Sequence, residues 1–102
     1  MRLIVFFDLP METAEQQKGY RLFRKNLIKE GYIMMQKSVY SKMVLDGQSA
    51  KSAISRLRKI KPKAGLVQVV QITEKQYCSI VDIVGKSSDN PSVDTAERLV
   101  IL

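Results

Sequence analysis

The stretch Arg2-Leu-Ile-Val-Phe-Phe-Asp-Leu-Pro10 decides how the rest of this chain is arranged. The apolar run from Leu3 to Phe7 is rich in β-branched and aromatic residues, which predicts a strand buried on both faces at the centre of a sheet. The strand is expected to end at Asp8, because Pro10 cannot extend a hydrogen-bond ladder. A carboxylate at the end of a central strand is held rigidly yet faces solvent. Asp8 is therefore the best candidate for chemistry in this sequence.

Composition predicts one domain with a basic surface. The 102 residues suffice for one core, 45% of them are hydrophobic, and no apolar run approaches the ~18 residues that span a bilayer. The 17 Lys and Arg against 10 Asp and Glu give a formal charge of +7. This excess indicates a polyanionic partner, most often nucleic acid, although a basic protein without such a partner is the alternative. The single Cys78 and the lack of an export signal predict a cytoplasmic protein that does not contact membranes.

The absence of histidine excludes several kinds of catalytic site. With 0 His, the chain has no His general base, no His-containing triad and no His metal ligand. One Cys cannot form a zinc site. Catalysis would therefore depend on carboxylates, on a hard cation bound through oxygen atoms, or on basic and backbone groups.

Capping and turn residues divide the rest of the chain into elements. Thr13 and Gln16 form a capping box for a helix that ends near Glu30, where Gly31 supplies the C′ residue. The other expected elements are two strands within residues 32–45 that separate near 36–38, a turn at Asp46-Gly47, a helix over 49–61, a buried strand over 65–72, a capping box at 73–76 with a helical turn near Tyr77, and strands over 79–85 and 98–102. This order predicts an α+β protein, a ferredoxin-like βαββαβ sandwich with additional C-terminal strands.

The C-terminal residues are expected to lie apart from the main domain. Residues 1–85 form the ferredoxin-like domain, residues 86–96 have the composition of a linker, and residues 97–102 include the apolar run Arg98-Leu-Val-Ile-Leu102. An apolar strand beyond a linker can add to the sheet edge of a second copy. The sequence therefore predicts a homodimer in which the terminal strand pairs with a sheet edge of the partner subunit.

Positive charge is concentrated on the two long helices. The stretch from Lys51 to Lys63 carries six basic residues and no acid. Such a face either binds phosphates or is simply solvated, and the lack of acids favours phosphate contact. On the first helix a basic stripe lies opposite the apolar face. The expected nucleic-acid-binding residues are Arg21, Arg24, Lys25, Lys51, Arg56, Arg58 and Lys59.

Several segments are informative in combination. They are the end of the first strand at 6–10, Tyr20-Arg-Leu-Phe-Arg24, Gln36-Lys-Ser-Val-Tyr40 and Thr73-Glu-Lys-Gln-Tyr77. Together they resemble the CRISPR-associated protein two family, the small partner of the CRISPR integrase, and most of all its members found beside type II systems. The resemblance covers nearly the whole chain.

The resemblance implies a ferredoxin-like homodimer that binds double-stranded DNA and bridges the CRISPR integrase during spacer acquisition. It also implies a metal-dependent endonuclease acting on RNA, including single-stranded RNA, or on DNA. In that activity Asp8 of each copy is catalytic and binds Mg²⁺ or Mn²⁺ near the dimer axis, with Ser38 and Tyr40 beside the site. Two carboxylates with phosphate oxygens and waters can form an octahedral oxygen site. Arg21 and Arg24 are expected to bind phosphates next to it.

Other functions stay open at this point. If Asp8 only caps the loop that follows it, the protein is a non-catalytic nucleic-acid-binding adaptor. A ferredoxin-like RNA-binding module is a further alternative, although the strand over residues 65–72 has no aromatic residue that could stack on bases.

Overall fold

The apolar run from Leu3 to Phe7 forms the centre of the first strand, which lies inside the sheet. The structure is a computed structural model that describes residues 1–85. Its elements are β1 (Arg2–Asp8), α1 (Ala14–Lys29), β2 (Ile33–Gln36), β3 (Val39–Met43), α2 (Gly47–Ile60), β4 (Leu66–Ile72) and α3 (Glu74–Cys78). The four strands pair antiparallel in the order β2-β3-β1-β4. The α+β class is confirmed, and the arrangement is consistent with a ferredoxin-like fold.

The core lies between one face of the sheet and the two long helices. Leu3, Val5 and Phe7 of β1 point toward the helices and are 0%, 0% and 7% exposed. The Phe7 ring meets the Phe23 ring of α1 edge to face, with centroids 5.1 Å apart. The other buried members of this cluster are Leu27, Tyr32, Tyr40, Val44, Ala50, Ala53 and Leu57. The helical apolar spacing in the sequence thus selects the packed face of each helix.

The predicted helix signals at α1 and α3 are confirmed. The Gln16 backbone N–H donates to the Thr13 hydroxyl at 3.0 Å, and the Gln16 side-chain oxygen accepts from the Thr13 backbone N–H at 3.0 Å. Thr73 and Gln76 form the same capping box at α3. Gly31 follows α1 with a φ of 93°, the left-handed conformation that favours glycine. No helix among residues 1–85 is long and apolar enough to cross a membrane.

The turn predicted at Asp46-Gly47 is instead the beginning of α2. The Asp46 carboxylate accepts a hydrogen bond of 2.8 Å from the Ser49 backbone N–H. This bond lowers the pKa of Asp46 and makes the residue an N-cap. The helix therefore begins at Gly47 rather than at Ser49. Aspartate and glycine suit both a turn and a helix start, which explains the difference.

The strand predicted over residues 79–85 is wrong. After α3 the chain continues to Gly85 without strand structure, and Ile83 and Val84 are 86% and 92% exposed. An apolar run becomes a strand only when a neighbour completes its hydrogen-bond ladder, and no strand within residues 1–85 pairs with this segment. The predicted linker over 86–96 and strand over 98–102 lie outside the described residues, and the domain boundaries stay predictions.

One face of the sheet is largely uncovered, so the prediction that β1 is buried on both faces is wrong at Phe6, although Ile4 on the same face is 9% exposed. The strand predicted to be buried over residues 65–72 is likewise exposed on this face. Among the apolar side chains that strand alternation and register place on the side away from α1 and α2, five large ones are more than a third exposed. We call these residues the open face: Phe6, Ile33, Met43, Leu66 and Val70, which are 38%, 52%, 56%, 57% and 45% exposed. Their composition is that of a buried strand surface, but nothing within residues 1–85 covers them.

The short helix α3 packs beside the open face and is anchored by Arg2. The guanidinium of Arg2 bonds to the Glu74 carboxylate at 2.9 Å and lies over the Tyr77 ring, 4.0 Å from its centroid. Tyr77 is 3% exposed. The charge and the ring contact together tie α3 to the start of β1.

Tyr32 carries a buried hydroxyl with no hydrogen-bond partner within residues 1–85. Burial raises its pKa to about 12, although Arg56 acts in the opposite direction. The substitution Tyr32→Phe removes the unsatisfied group and keeps the ring, so we expect the free energy of unfolding at neutral pH to rise by up to about 1 kcal/mol.

Tyr32 also predicts how stability depends on alkaline pH. The pKa of Tyr32 is higher in the folded state than the ordinary value of 10.0, so ionisation of this hydroxyl favours the unfolded chain. The free energy of unfolding is therefore unaffected by Tyr32 ionisation below pH 10 and falls as the pH rises toward 12. Urea unfolding at neutral pH and between pH 10 and 12 should show a smaller alkaline loss for Tyr32→Phe than for the wild type. Equal alkaline losses in the two proteins would contradict this account.

Candidate functional site

Asp8 is the last residue of β1, and its side chain is exposed. Since side chains alternate along a strand, Asp8 lies on the same side of the sheet as Phe6, at the edge of the open face. Its backbone is fixed on both sides: Asp8 pairs with Leu66 of β4, and the preceding Phe7 N–H donates to the Ser38 carbonyl at 3.1 Å. The carboxylate therefore projects from a rigid strand end, next to an uncovered apolar surface.

Gly65 lets the beginning of β4 approach this strand end. It has a φ of 99°, and a Cβ at this position would lie 2.7 Å from the Asp8 carbonyl oxygen and 2.7 Å from Leu9 Cδ2. A residue with a side chain would therefore have both the wrong backbone preference and a clash. Gly65 was not among the predicted site residues. A glycine immediately before an apolar strand is nevertheless a signal for close backbone approach.

We expect Gly65→Ala to lower the free energy of unfolding by about 2 kcal/mol, because it adds backbone strain and a clash behind Asp8. Gly19→Ala is the matched control, since Gly19 lies within α1 and a Cβ added there would meet nothing within 4 Å. This control should gain about 1 kcal/mol from helix propensity. Denaturant unfolding of both variants measures the difference, and a Gly65→Ala protein as stable as the wild type would contradict it.

The two predicted neighbours of Asp8 lie in different places. Ser38 is half-buried beside the end of β1, to which it is joined by the hydrogen bond from Phe7. Tyr40 is fully buried on the helix side of the sheet, with its ring stacked on Phe7 at a centroid distance of 5.9 Å. The structure thus brings Ser38 to the strand end and places Tyr40 behind it, on the face opposite Asp8.

The Tyr40 hydroxyl has a partner on α1 that the sequence did not indicate. The Arg24 Nε donates to the Tyr40 oxygen at 3.0 Å, so the arginine is oriented by a buried ring. Next to it, the Tyr20 hydroxyl donates to the Lys37 carbonyl at 2.8 Å and ties α1 to the turn between β2 and β3. The two long helices α1 and α2 form one layer on the side of the sheet opposite the Asp8 carboxylate, and we call this the helix layer. Arg21 and Arg24 both belong to it.

The predicted phosphate-binding side chains are exposed on the helix layer, with one qualification. Lys51, Arg58 and Lys59 extend from α2 into solvent, as Lys25 does from α1. Arg56 is different, because its Nε donates to the Glu30 carboxylate at 2.8 Å. Part of the positive charge of Arg56 is therefore compensated within the chain, while the other cations face outward on one side of the molecule.

One chain does not supply a metal-binding cluster around Asp8. Within residues 1–85, no group of three or more His, Cys, Asp or Glu side chains could hold a metal ion. Mg²⁺ is commonly bound by one or two carboxylates together with waters and substrate phosphates. Asp8 alone provides the smaller part of such a site, and further oxygen ligands have to come from another molecule.

This chain is similar to proteins of one family over its whole length. The family model for CRISPR associated protein Cas2 matches residues 1–80. A CRISPR-associated endoribonuclease Cas2 from Treponema denticola is 51% identical over 102 residues, which is 100% of both chains. The protein of the same description from Ligilactobacillus salivarius is 45% identical, again over 100% of both chains. The crystal structure of Streptococcus pyogenes Cas2 at pH 6.5 matches with a TM-score of 0.64 and 21% identity, covers 83% of this chain and 100% of that chain, and is similar in fold.

Proposed function

Because this chain belongs to the CRISPR-associated protein Cas2 family, we propose that it acts in CRISPR adaptation as a homodimer that binds double-stranded DNA and bridges the CRISPR integrase during spacer acquisition. The proposal includes an endonuclease activity that requires Mg²⁺ or Mn²⁺ and Asp8. The curated relatives are described as endoribonucleases, which supports RNA as the first substrate to test. The observation that carries the proposal is the apolar open face with an acidic residue at its edge.

The open face supports self-association. Its exposed apolar side chains lie side by side on a sheet, and such a patch is typical of a protein interface. In a two-fold dimer the same residues of both copies meet around the axis. Asp8 follows Phe6 by two positions on this face. An axis that passes near Phe6 therefore also brings the two Asp8 carboxylates toward each other.

Pairing of the two copies would supply the second carboxylate that the metal site of one chain lacks. Two carboxylates that approach each other repel unless a cation lies between them, so metal binding and dimer formation should support each other. When bound, Mg²⁺ would polarise a phosphoryl group and lower the pKa of a bound water. The role of this chain is to hold the metal through Asp8 on a rigid strand end. With 0 His, no imidazole is available as the general base.

The basic helix layer supports the binding of a duplex. It lies on the side of the sheet opposite the open face, so a dimer formed through the open faces leaves both helix layers accessible. Lys and Arg side chains on a helix exterior meet phosphates more readily than base edges, which favours binding without strong sequence preference. This surface also supports the alternative in which the protein is an adaptor without catalysis.

A base-stacking RNA-recognition module has less support. Such modules stack two or three bases on aromatic side chains of the sheet. Within residues 1–85, Phe6 is the only aromatic side chain exposed on the open face. The neighbouring positions of β4 are Leu66, Gln68 and Val70. These residues suit an apolar interface better than a row of bases.

Removal of the α2 charges should reduce the salt dependence of duplex binding. Each phosphate contact that is lost should flatten the slope of log affinity against log salt by ~0.9. We therefore expect replacement of Lys51, Arg58 and Lys59 by Ser to flatten the slope by about 1 to 3 units. Fluorescence anisotropy with a labelled duplex over a series of salt concentrations measures the slope.

Lys75→Ser is the matched control for this series, because it removes an exposed charge from α3 on the other side of the sheet. Its slope should equal that of the wild type. Glu30→Gln is not suitable as a control, because it would release Arg56 from its ion pair. An unchanged slope in the triple variant would place the duplex away from α2, with α1 as the next surface to test.

Cleavage assays separate the enzyme from the adaptor. Purified protein is incubated with single-stranded RNA and with duplex DNA in Mg²⁺, in Mn²⁺ and in EDTA, and the products are resolved on denaturing gels. The proposal expects cleavage of at least one substrate that stops in EDTA. If the protein binds the duplex but cleaves neither substrate in either metal, the proposed nuclease activity is wrong. The protein would then be a non-catalytic adaptor.

A further inference from the structure

A groove on the helix side of the molecule has no part in the proposed function. It encloses about 730 Å³ between α1, the loop from β1 to α1, and the segment that follows α2. Leu9, Pro10, Ile60 and Pro62 are among the residues that line it, and Leu22 of α1, which also lines it, is 57% exposed. The surface of the groove is therefore mainly aliphatic and open to solvent, on the side of the sheet away from the open face.

Gly19 opens this groove along α1. Apart from its chain neighbours and the nearby backbone of α1, no atom lies within 4 Å of the place where its side chain would begin, so the helix surface here is free. The α1 residues that line the groove run from Glu15 to Asn26. This distance corresponds to ~16 Å of helix, the length of about three helical turns. The groove is thus long enough for a short peptide segment.

The rim of the groove is positively charged. Lys18, Lys61 and Lys63 line it, and Glu15 is the only acidic residue among its lining residues. An occupant with apolar side chains on one side and carboxylates beside them would match both the aliphatic surface and the lysines. Charge complementarity of this kind selects a partner and its orientation.

We propose that this groove binds a short amphipathic segment of a partner protein, in which aliphatic side chains enter the groove and Asp or Glu residues contact the three lysines. The inference does not depend on the nuclease or on duplex binding. The mode is that of an amphipathic helix laid into an apolar groove.

A nucleic acid fits this groove less well than a peptide. The aromatic residues that line it are engaged in the core: Phe23 is 2% exposed, and the Tyr20 ring packs on Phe7 at a centroid distance of 5.9 Å. Base stacking needs an exposed ring, and phosphates alone would leave the aliphatic surface uncovered. The lysines are therefore better matched by carboxylates attached to apolar residues.

The probe is a fluorescein-labelled synthetic helical peptide of about three turns, with Leu at positions i, i+3, i+4 and i+7 and Glu on both flanks. A second peptide carries Lys in place of every Glu. We expect the Glu peptide to bind the full chain with a Kd on the order of 10–100 µM, and the Lys peptide to bind at least ~10-fold more weakly. Amide chemical shifts of the full chain should change around Leu9, Gly19, Leu22 and Ile60 when the Glu peptide is added.

Gly19→Leu is the blocking variant, because the free space above Gly19 accepts a side chain and the helix gains propensity. It should weaken binding of the Glu peptide at least ~10-fold, while its thermal melting confirms that the fold is intact. Ser55→Leu, which adds the same side chain to the exposed surface of α2, should bind like the wild type.

Three results with the peptides would each overturn the proposal. They are absence of Glu-peptide binding to the full chain, equal binding of the Glu and Lys peptides, and unchanged binding of the Glu peptide in Gly19→Leu. A DNA duplex that shifts the same amides and displaces the Glu peptide would assign the groove to nucleic acid and would also overturn it.

Discussion

Asp8→Asn should reduce metal-dependent cleavage by ~100-fold or more, because the neutral amide no longer holds a hard cation. The substitution keeps the shape of the side chain at the end of β1. Asp8 is exposed and makes its β4 contacts through the backbone, so the fold should be unaffected. Initial rates of cleavage in Mg²⁺ and Mn²⁺, measured at equal protein concentrations, test this expectation. Duplex binding should persist, because the variant loses negative rather than positive charge.

Glu12→Gln is the control for Asp8→Asn. It removes one exposed negative charge from the loop that follows the strand and leaves the strand end unchanged. Its cleavage rate should stay within about 2-fold of the wild type, as expected for a surface substitution away from the site. Undiminished metal-stimulated cleavage by Asp8→Asn would falsify the assignment of Asp8 as the metal ligand.

Phe6→Glu should weaken self-association by ~100-fold or more, because it places a carboxylate in an apolar interface, where it meets its own symmetry mate. Phe6 is 38% exposed in one chain, so a folded monomer can accommodate the charge. Sedimentation velocity over a range of protein concentrations measures the change. Ile28→Glu is the control, since Ile28 is 53% exposed on α1 in the helix layer and should not affect the dimer.

Phe6→Glu should also abolish cleavage, because the second Asp8 is then missing from the site. This links the oligomeric state to the chemistry. A Phe6→Glu protein that still sediments as a dimer would assign the interface to another surface. A monomeric variant that cleaves at the rate of the wild type would place the whole site within one chain.

The sequence predicts best those parts of the fold that local chemistry determines. The capping box at Thr13 and Gln16 involves neighbours in the chain, and it formed where it was expected. The strand predicted over 79–85 failed because strand formation depends on a distant partner, and no strand of residues 1–85 pairs with it. The exposure of the open face could not be predicted for the same reason. The apolar sequence around Val70 predicts a strand, but it does not show whether another surface covers that strand.

In the candidate site, too, some features were predictable from local sequence and others depend on distant residues. The position of Asp8 at the mouth of β1 follows from a short local pattern and could be predicted. The face on which Tyr40 lies could not, because it is set by the pairing of Tyr40 with Val5 of β1, a residue distant in the sequence. The ion pair of Arg56 with Glu30 joins residues distant in sequence, and no local signal reveals it. The family was predicted from motifs and is confirmed, whereas the metal, the DNA and the integrase stay proposals.

Cross-linking can establish whether two copies of residue 8 meet in solution, as a shared metal site requires. The chain contains one cysteine, Cys78, so Asp8→Cys in a Cys78→Ser background carries a single thiol. We expect a short bis-maleimide to convert this variant into a covalent dimer in high yield, while Lys29→Cys in the same background, on the exposed side of α1, stays uncross-linked. Failure of the Asp8→Cys variant to cross-link, in a protein that sediments as a dimer, would show that the two carboxylates do not share a site and would contradict the proposed dimer and its metal site.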